Sequence, residues 1–212
     1  MAISSQLWLW LTVAALGLFH GINPAMGWLF AVGLGLNRGS ERVVWLSLAP
    51  IALGHALAVA LALLIALALG LVLDAGPLQR IAGTILIAWA VWHVVYGLRH
   101  RVRVGMQTGY AGLAMWSFLM ANAHGAGLML IPAVIPLCLA AAPVHELTAG
   151  SSASVAVAAI GLHTAAMLAA IGIISIAVYK WVGLAFLRRG WINLDLLWTG
   201  ALIGCGTILL AV

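Results

Sequence analysis

The chain has 212 residues, 66% of them hydrophobic and 6% charged, with a mean hydropathy of +1.20. A soluble domain carries about 25% charged residues, so this composition excludes a solvated globule and implies a lipid surround. The formal charge of +5 does not point to nucleic acid, because the basic residues stand in short stretches between apolar runs, where they act as topology signals.

Apolar runs longer than about 18 residues recur. They predict an all-α polytopic membrane protein with six transmembrane helices over about 7–36, 43–73, 78–98, 111–140, 152–179 and 192–211. The first reads as a span rather than a cleavable leader, since Met1 to Gln6 carries no Lys or Arg and no small-x-small site precedes a polar domain. Segments of thirty residues are longer than the roughly 30 Å hydrocarbon core at about 1.5 Å per residue, so they must tilt, break or protrude. The first and fourth carry the breakers: Gly21 and Pro24 in one, Gly125, Gly127, Pro132 and Pro136 in the other. Both are expected to be broken helices.

Polar breaks fall at Asn37-Arg38-Gly39-Ser40, Asp74-Ala75-Gly76-Pro77, Arg99 to Gly109, Ala142 to Glu146 and Arg188-Arg189-Gly190. Loops one, three and five hold Arg38, Arg42, Arg99, Arg101, Arg103, Lys180, Arg188 and Arg189, which is eight of the nine Lys and Arg. The other side holds Arg80, Asp74 and Glu146. The positive-inside rule puts the odd loops in the cytoplasm and both termini outside, as an integral protein of a bacterial cytoplasmic (inner) membrane. Trp8, Trp10, Trp45, Trp181 and Trp191 lie near segment ends, as an interfacial belt does. Cys138 and Cys205 fall in apolar runs and read as buried structural thiols.

The chain reads as one transmembrane domain, 1–212, made of two repeats at about 7–98 and 111–211. Leu18-Phe19-His20-Gly21 and Leu53-Gly54-His55-Ala56 lie mid-segment in the first; Asn122-Ala123-His124-Gly125 and Gly161-Leu162-His163-Thr164 do so in the second. Each repeat has an odd number of spans, so the two are inverted relative to one another, a plan that recurs in secondary transporters with a midplane site.

Imidazole in hydrocarbon is costly unless it is paired, hydrated or ligated. Four at matched depth, His20, His55, His124 and His163, point to a shared polar site. Neutral imidazole binds nickel, cobalt, copper and zinc and also relays protons. Pro24 withholds its amide from the His20 carbonyl, and carbonyls freed at a break are candidate cation ligands. Asn23 and Asn122 are the polar neighbours of the two broken-helix histidines. Met26, Met120, Met129 and Met167 lie close in sequence; thioethers suit soft ions, though methionine is usually apolar filler. Met26 joins the histidines as a candidate metal ligand. Asp195 stands in the first turn of the last segment, where it suits the helix dipole. His93 and His100 lie towards the cytoplasmic end of segment three, and His145 is in an outer loop.

The run Gly17-Leu18-Phe19-His20-Gly21-Ile22-Asn23-Pro24-Ala25-Met26-Gly27, the Asn37-Arg38-Gly39 turn and Leu53-Gly54-His55-Ala56-Leu57-Ala58-Val59 resemble the nickel/cobalt permease and efflux branch of the lysine-exporter (LysE) transporter superfamily. The resemblance covers residues 12–100 and, more faintly, the second half. It implies a transporter of six to eight helices with metal ligands on the first broken helix, and it puts His20 and His55 at the family's two motif histidines. The chain departs from that pattern after His20, where Asn23, Pro24 and Met26 replace further His and acidic residues, and it has no His-rich loop. A softer metal or a non-metal solute therefore stays open. Thiol-electron carriers of the same superfamily use a Cys in each broken helix; here Cys138 has no counterpart in segment one.

The leading expectation is thus a secondary transporter of a transition-metal cation, with His20, Asn23, His55, Asn122, His124 and His163 as its site. The alternatives are an intramembrane bis-His haem-binding redox protein and a membrane assembly partner of a metalloenzyme. No nucleotide-binding loop or hydrolase motif is present, so neither an enzyme nor a nucleotide cofactor is expected. The partners are the bilayer and a small cation or solute, with homo-oligomerisation open.

Overall fold

A computed structural model describes residues 2–70, 75–96, 109–141, 149–182 and 194–211. All regular structure among them is helical. In chain order, α1 is Ala2–Ile22, followed by a 3-10 turn at Pro24–Met26 and α2 at Trp28–Asn37. Then come α3 (Glu41–Gly70), α4 (Ala75–Tyr96), α5 (Tyr110–Ala123), α6 (Ala126–Ala141), α7 (Ala149–Ala177) with a π turn at Val178–Val182, and α8 (Leu194–Ala211). The sequence positions of Asp74, Arg99, His100, Arg101, Arg103, His145, Glu146, Arg188, Arg189 and Trp191 lie outside the described residues, as does the Asp195 side chain.

Three helices are long and apolar enough to cross a bilayer: Glu41–Leu69, Gly76–Tyr96 and Ala153–Trp181. The pair Tyr110–Ala123 and Ala126–Cys138, bent by 64°, makes a fourth if it is one span. Gln6–Ile22, Trp28–Asn37 and Trp198–Ala211 are shorter apolar helices. Large apolar side chains cover the outside, with Leu53, Leu57, Leu61 and Leu64 exposed along α3 and Ile173 on α7. An apolar surface of this extent belongs against lipid rather than water. Trp8, Trp45 and Trp181 are exposed, consistent with an interfacial position.

Both expected breaks are present, and each has a local cause. Asn23 precedes a proline and is extended, with φ −68° and ψ 123°, because the proline ring disfavours helical backbone one residue upstream. Gly27 then takes φ 124°, a left-handed conformation that only glycine adopts freely, and α2 starts there. The fourth segment turns at His124 and Gly125, where Gly125 has φ 65°. The His124 and Gly125 amides bond the Met120 and Asn122 carbonyls and close the end of α5. Pro132 and Pro136 were also expected to break this segment, but both lie inside a continuous α6; a proline removes one ladder bond without ending a helix whose neighbours hold it.

The most extensive packing is α1 on α7, α3 on α5 and α4 on α8, with α3 and α7 in contact between them. Glycines allow the approach, as membrane bundles require. Gly17 lies against the His163 carbonyl and Ala166, and Gly54 lies against the Ala114 carbonyl and the Phe118 amide. Gly83 and Gly206 meet face to face, each Cβ position about as near as 3 Å to the other's carbonyl (2.8 and 3.0 Å). On one side of α3 and α7, Lys180 Nζ meets Glu41 Oε2 at 3.0 Å.

Candidate functional site

Three helices bring three imidazoles together at the centre of the bundle. His20 comes from the last turn of α1, His55 from the middle of α3 and His163 from the middle of α7. Each is 0% exposed. Their ring centroids stand 5.6 Å (His20–His55), 4.9 Å (His20–His163) and 5.3 Å (His55–His163) apart. The seat of Gly17 on the His163 backbone sets how near α1 lies to α7, and hence how near His20 lies to His163.

Hydrogen bonds fix two of the tautomers. His20 Nδ1 is 2.7 Å from the Leu16 carbonyl, and His163 Nδ1 is 3.3 Å from the Val13 carbonyl. A carbonyl only accepts, so each Nδ1 carries the proton and each Nε2 keeps a bare lone pair. The His20 and His163 Nε2 atoms are buried without a partner, as are both ring nitrogens of His55. Buried lone pairs of this kind call for a donor or a Lewis acid, since leaving a polar atom unmade costs about 1–3 kcal/mol.

A cation fits the spacing. An ion about 2 Å from each Nε2 holds imidazole centroids about 5 Å apart at a tetrahedral angle. The orientation needs adjustment: the His55 and His163 planes differ by only 15°, so their in-plane lone pairs do not converge. Among the described residues no three His, Cys, Asp or Glu side chains, as they stand, are set to hold a metal ion. Ligation asks for a turn of one ring about χ2, a soft torsion in histidine.

The fourth expected histidine stands apart. His124 Nδ1 bonds the Met120 carbonyl at 2.8 Å, the same backward bond that His20 makes to Leu16. Its ring meets His93 of α4, with centroids 5.7 Å apart. Trp198 of α8 bridges the two groups: its ring is 4.4 Å from His20 and 5.1 Å from His124, edge-on to both.

Both asparagines are engaged by backbone close to them in sequence. Asn23 Oδ1 accepts from the Ala25 amide at 2.9 Å, capping the 3-10 turn, and only its donor Nδ2 is left without a partner. Asn122 is exposed and its Nδ2 donates to Phe118 O at 2.8 Å. It faces away because an amide at a helix end finds its own backbone first. Met26 is buried with Trp28, Ile51, Leu113 and Met167 in a second apolar cluster, separate from the three-imidazole group. Cys138 is buried and Cys205 half-buried, and neither forms a disulfide.

The carbonyls expected to be free at the breaks are largely taken. The Asn23 amide bonds His20 O at 3.2 Å, replacing the bond that Pro24 cannot make. Four indoles donate to others: Trp28 to Ile22 O (2.9 Å), Trp116 to Ala25 O (3.1 Å), Trp89 to Ala123 O, and Trp198 to His124 O (2.9 Å). Sequence reasoning placed His93 in segment three without a part in the site, and it missed these tryptophans. The signal was available, because an indole N–H far from the interface must find an acceptor, and an unfinished helix end is where acceptors are left over.

Compared with known proteins, the chain matches no protein-family model, no curated protein and no solved structure.

Proposed function

We propose that this chain is a secondary membrane transporter whose cargo is a transition-metal cation, held at mid-membrane by His20, His55 and His163. The observation that carries this reading is the set of unpartnered ring nitrogens on three fully buried imidazoles, spaced as ligands of one ion are. Such a set lowers stability unless something binds it.

The packing supports six spans in two inverted repeats. The spans would be α1 with α2, α3, α4, α5 with α6, α7 and α8. Exchanging the halves turns the α1–α7 pair into the α5–α3 pair and leaves α4–α8 and α3–α7 as they are; these are the main helix contacts. The backward bonds of His20 and His124 also exchange. The resemblance to the LysE superfamily agrees with this plan. The Glu41–Lys180 ion pair supports loops one and five sharing a side, which the positive-inside rule assigns to the cytoplasm.

Charge narrows the cargo. The buried polar and charged residues among those described include no carboxylate. Three neutral imidazoles leave the charge of the ion uncompensated, and the burial penalty grows with the square of charge. A singly charged ion is therefore favoured over a doubly charged one, and copper in its Cu(I) form is the transition metal of that charge that imidazole holds well. The haem reading draws less support, since two imidazoles trans on one iron stand about 6 Å apart at their centroids and the three rings here are closer.

The test is cellular metal content by elemental mass spectrometry under copper, nickel, cobalt and zinc challenge. Cells expressing the wild type, His20→Ala, His163→Ala or empty vector are compared at matched membrane levels. Wild type should shift copper, and both variants should return it to the vector level. Wild-type behaviour of both variants would remove the three histidines from the site, and no shift in any metal would end the cation reading.

A further inference from the structure

We propose that α2 is the leaf of a gate over the loop-one side of the three-imidazole site, with the Glu41–Lys180 ion pair as its latch. This rests on the transport reading above and adds to it the way the cargo reaches or leaves that site.

All three imidazoles are 0% exposed, so an ion reaches them only when a covering layer moves. On the loop-one side that layer is one apolar cluster. Ile51 stands one turn from His55 on α3, Met167 and Ile171 stand one and two turns from His163 on α7, and α2 adds Ala31 and Val32. Ser175, one turn further along α7, is also 0% exposed, and its hydroxyl has no partner.

The backbone of α2 suits movement as a unit. It has ten residues and lies between two glycines in left-handed backbone, Gly27 at φ 124° and Gly39 at φ 59°. A few residues with such freedom absorb the rotation of a hinge. It rests mainly on α3, α7 and the short turns beside it, whereas α6, its counterpart in the other half, is packed among α1, α3, α4, α5, α7 and α8. Of the two half-helices, α2 therefore gives up less packing on moving.

The end of α2 is seated beside the ion pair. Gly35 lies between Val44 of α3 and Tyr179 of the π turn, close in sequence to Glu41 and Lys180 respectively. The Trp45 ring covers Gly172 of α7, 3.5 Å from its Cβ position, and its indole reaches Glu41 Oε1 at 3.4 Å. The 3.0 Å contact of Lys180 Nζ with Glu41 Oε2 thus ties the start of α3 to the end of α7 at the rim of this seat. The exchange of halves that carries His55 onto His163 carries Glu41 onto Ala149 and Lys180 onto Val72. Neither is charged, so the repeat provides this latch on one side only. An exposed pair contributes little to folding, but two conformers of similar stability exchange places under a change that small.

The experiment follows maleimide labelling of single buried cysteines in the full-length, metal-free protein, with Cys138 and Cys205 replaced by alanine. Ser175→Cys reports the wall under the gate and Val32→Cys the inner face of α2. Leu63→Cys, at a position 2% exposed, reports the opposite side of the site. The labelling rate follows the open population when opening is fast. Glu41→Gln and Lys180→Gln should each speed labelling of the first two reporters by about two- to fivefold and leave the third unchanged or slower. Glu41→Lys combined with Lys180→Glu should bring the rates back towards wild type. An unchanged rate at Ser175→Cys overturns the latch, and a rise there without one at Val32→Cys overturns α2 as the leaf. A rise at all three reporters marks general loosening and overturns the gate. No metal enters the measurement, so failure of the gate is told apart from failure of the cargo reading, which the cellular metal assay tests.

Discussion

Replacing His55 by leucine is expected to raise the stability of the protein while abolishing transport. Both His55 ring nitrogens are buried without a partner, and each unmet polar atom costs about 1–3 kcal/mol. Leucine removes both atoms at similar volume, against about 1–2 kcal/mol for imperfect shape in a packed interior. The net gain is about 0–5 kcal/mol, centred near 2–3, which at roughly 2–4 °C per kcal/mol for a chain of this size raises the melting midpoint by several degrees. His20→Leu should gain far less, because it also gives up the 2.7 Å bond to Leu16 and removes only one unpartnered nitrogen. The assay is thermal unfolding in one detergent, metal-free, for wild type and the two variants. A folded His55→Leu that melts below wild type, or no higher than His20→Leu, would refute the reasoning: its nitrogens would then be satisfied, and the case for a ligand would lose its physical basis. The same variant loaded with Cu(I) should lack the stabilisation that a bound ligand gives wild type.

Gly17→Val alters no imidazole, yet its side chain would run into the His163 carbonyl and Ala166; metal uptake or efflux should fall to the level of His163→Ala, read in the same cellular assay. Gly83→Val drives a side chain onto the Gly206 carbonyl, 2.8 Å from the Cβ position, and should lower the melting midpoint by separating α4 from α8, which a loss of disulfide formation between engineered cysteines on the two helices would report. Trp198→Phe leaves His124 O without its indole donor, costs about 1–3 kcal/mol, and should weaken the hold on the second break more than Trp45→Phe, whose indole makes a 3.4 Å exposed contact. Glu41→Gln removes a surface ion pair between exposed groups, so the melting midpoint should scarcely move.

The sequence alone determined the lipid surround, the helical class and the two broken segments. These are properties of single segments. Hydropathy over a window follows from the cost of backbone and charge in hydrocarbon, and the kink at Asn23-Pro24 follows from the proline ring one bond away. What the sequence left open depends on how helices far apart in the chain rotate against each other. Four histidines near the middle of apolar segments read alike, yet His20, His55 and His163 come together while His124 joins His93, because glycine contacts such as Gly17 on His163 set each helix face. Asn122 reads like a site residue until its amide is seen on the Phe118 carbonyl, a local competition that motif position does not reveal. The freed carbonyls of the breaks read as ligands, but tryptophans reach them, three of them neighbours in space rather than in sequence: Trp89 to Ala123, Trp116 to Ala25 and Trp198 to His124. Only the tertiary structure decides which acceptor an indole 74 residues away will find, because burial obliges each polar group to take a partner from whatever the packing brings near.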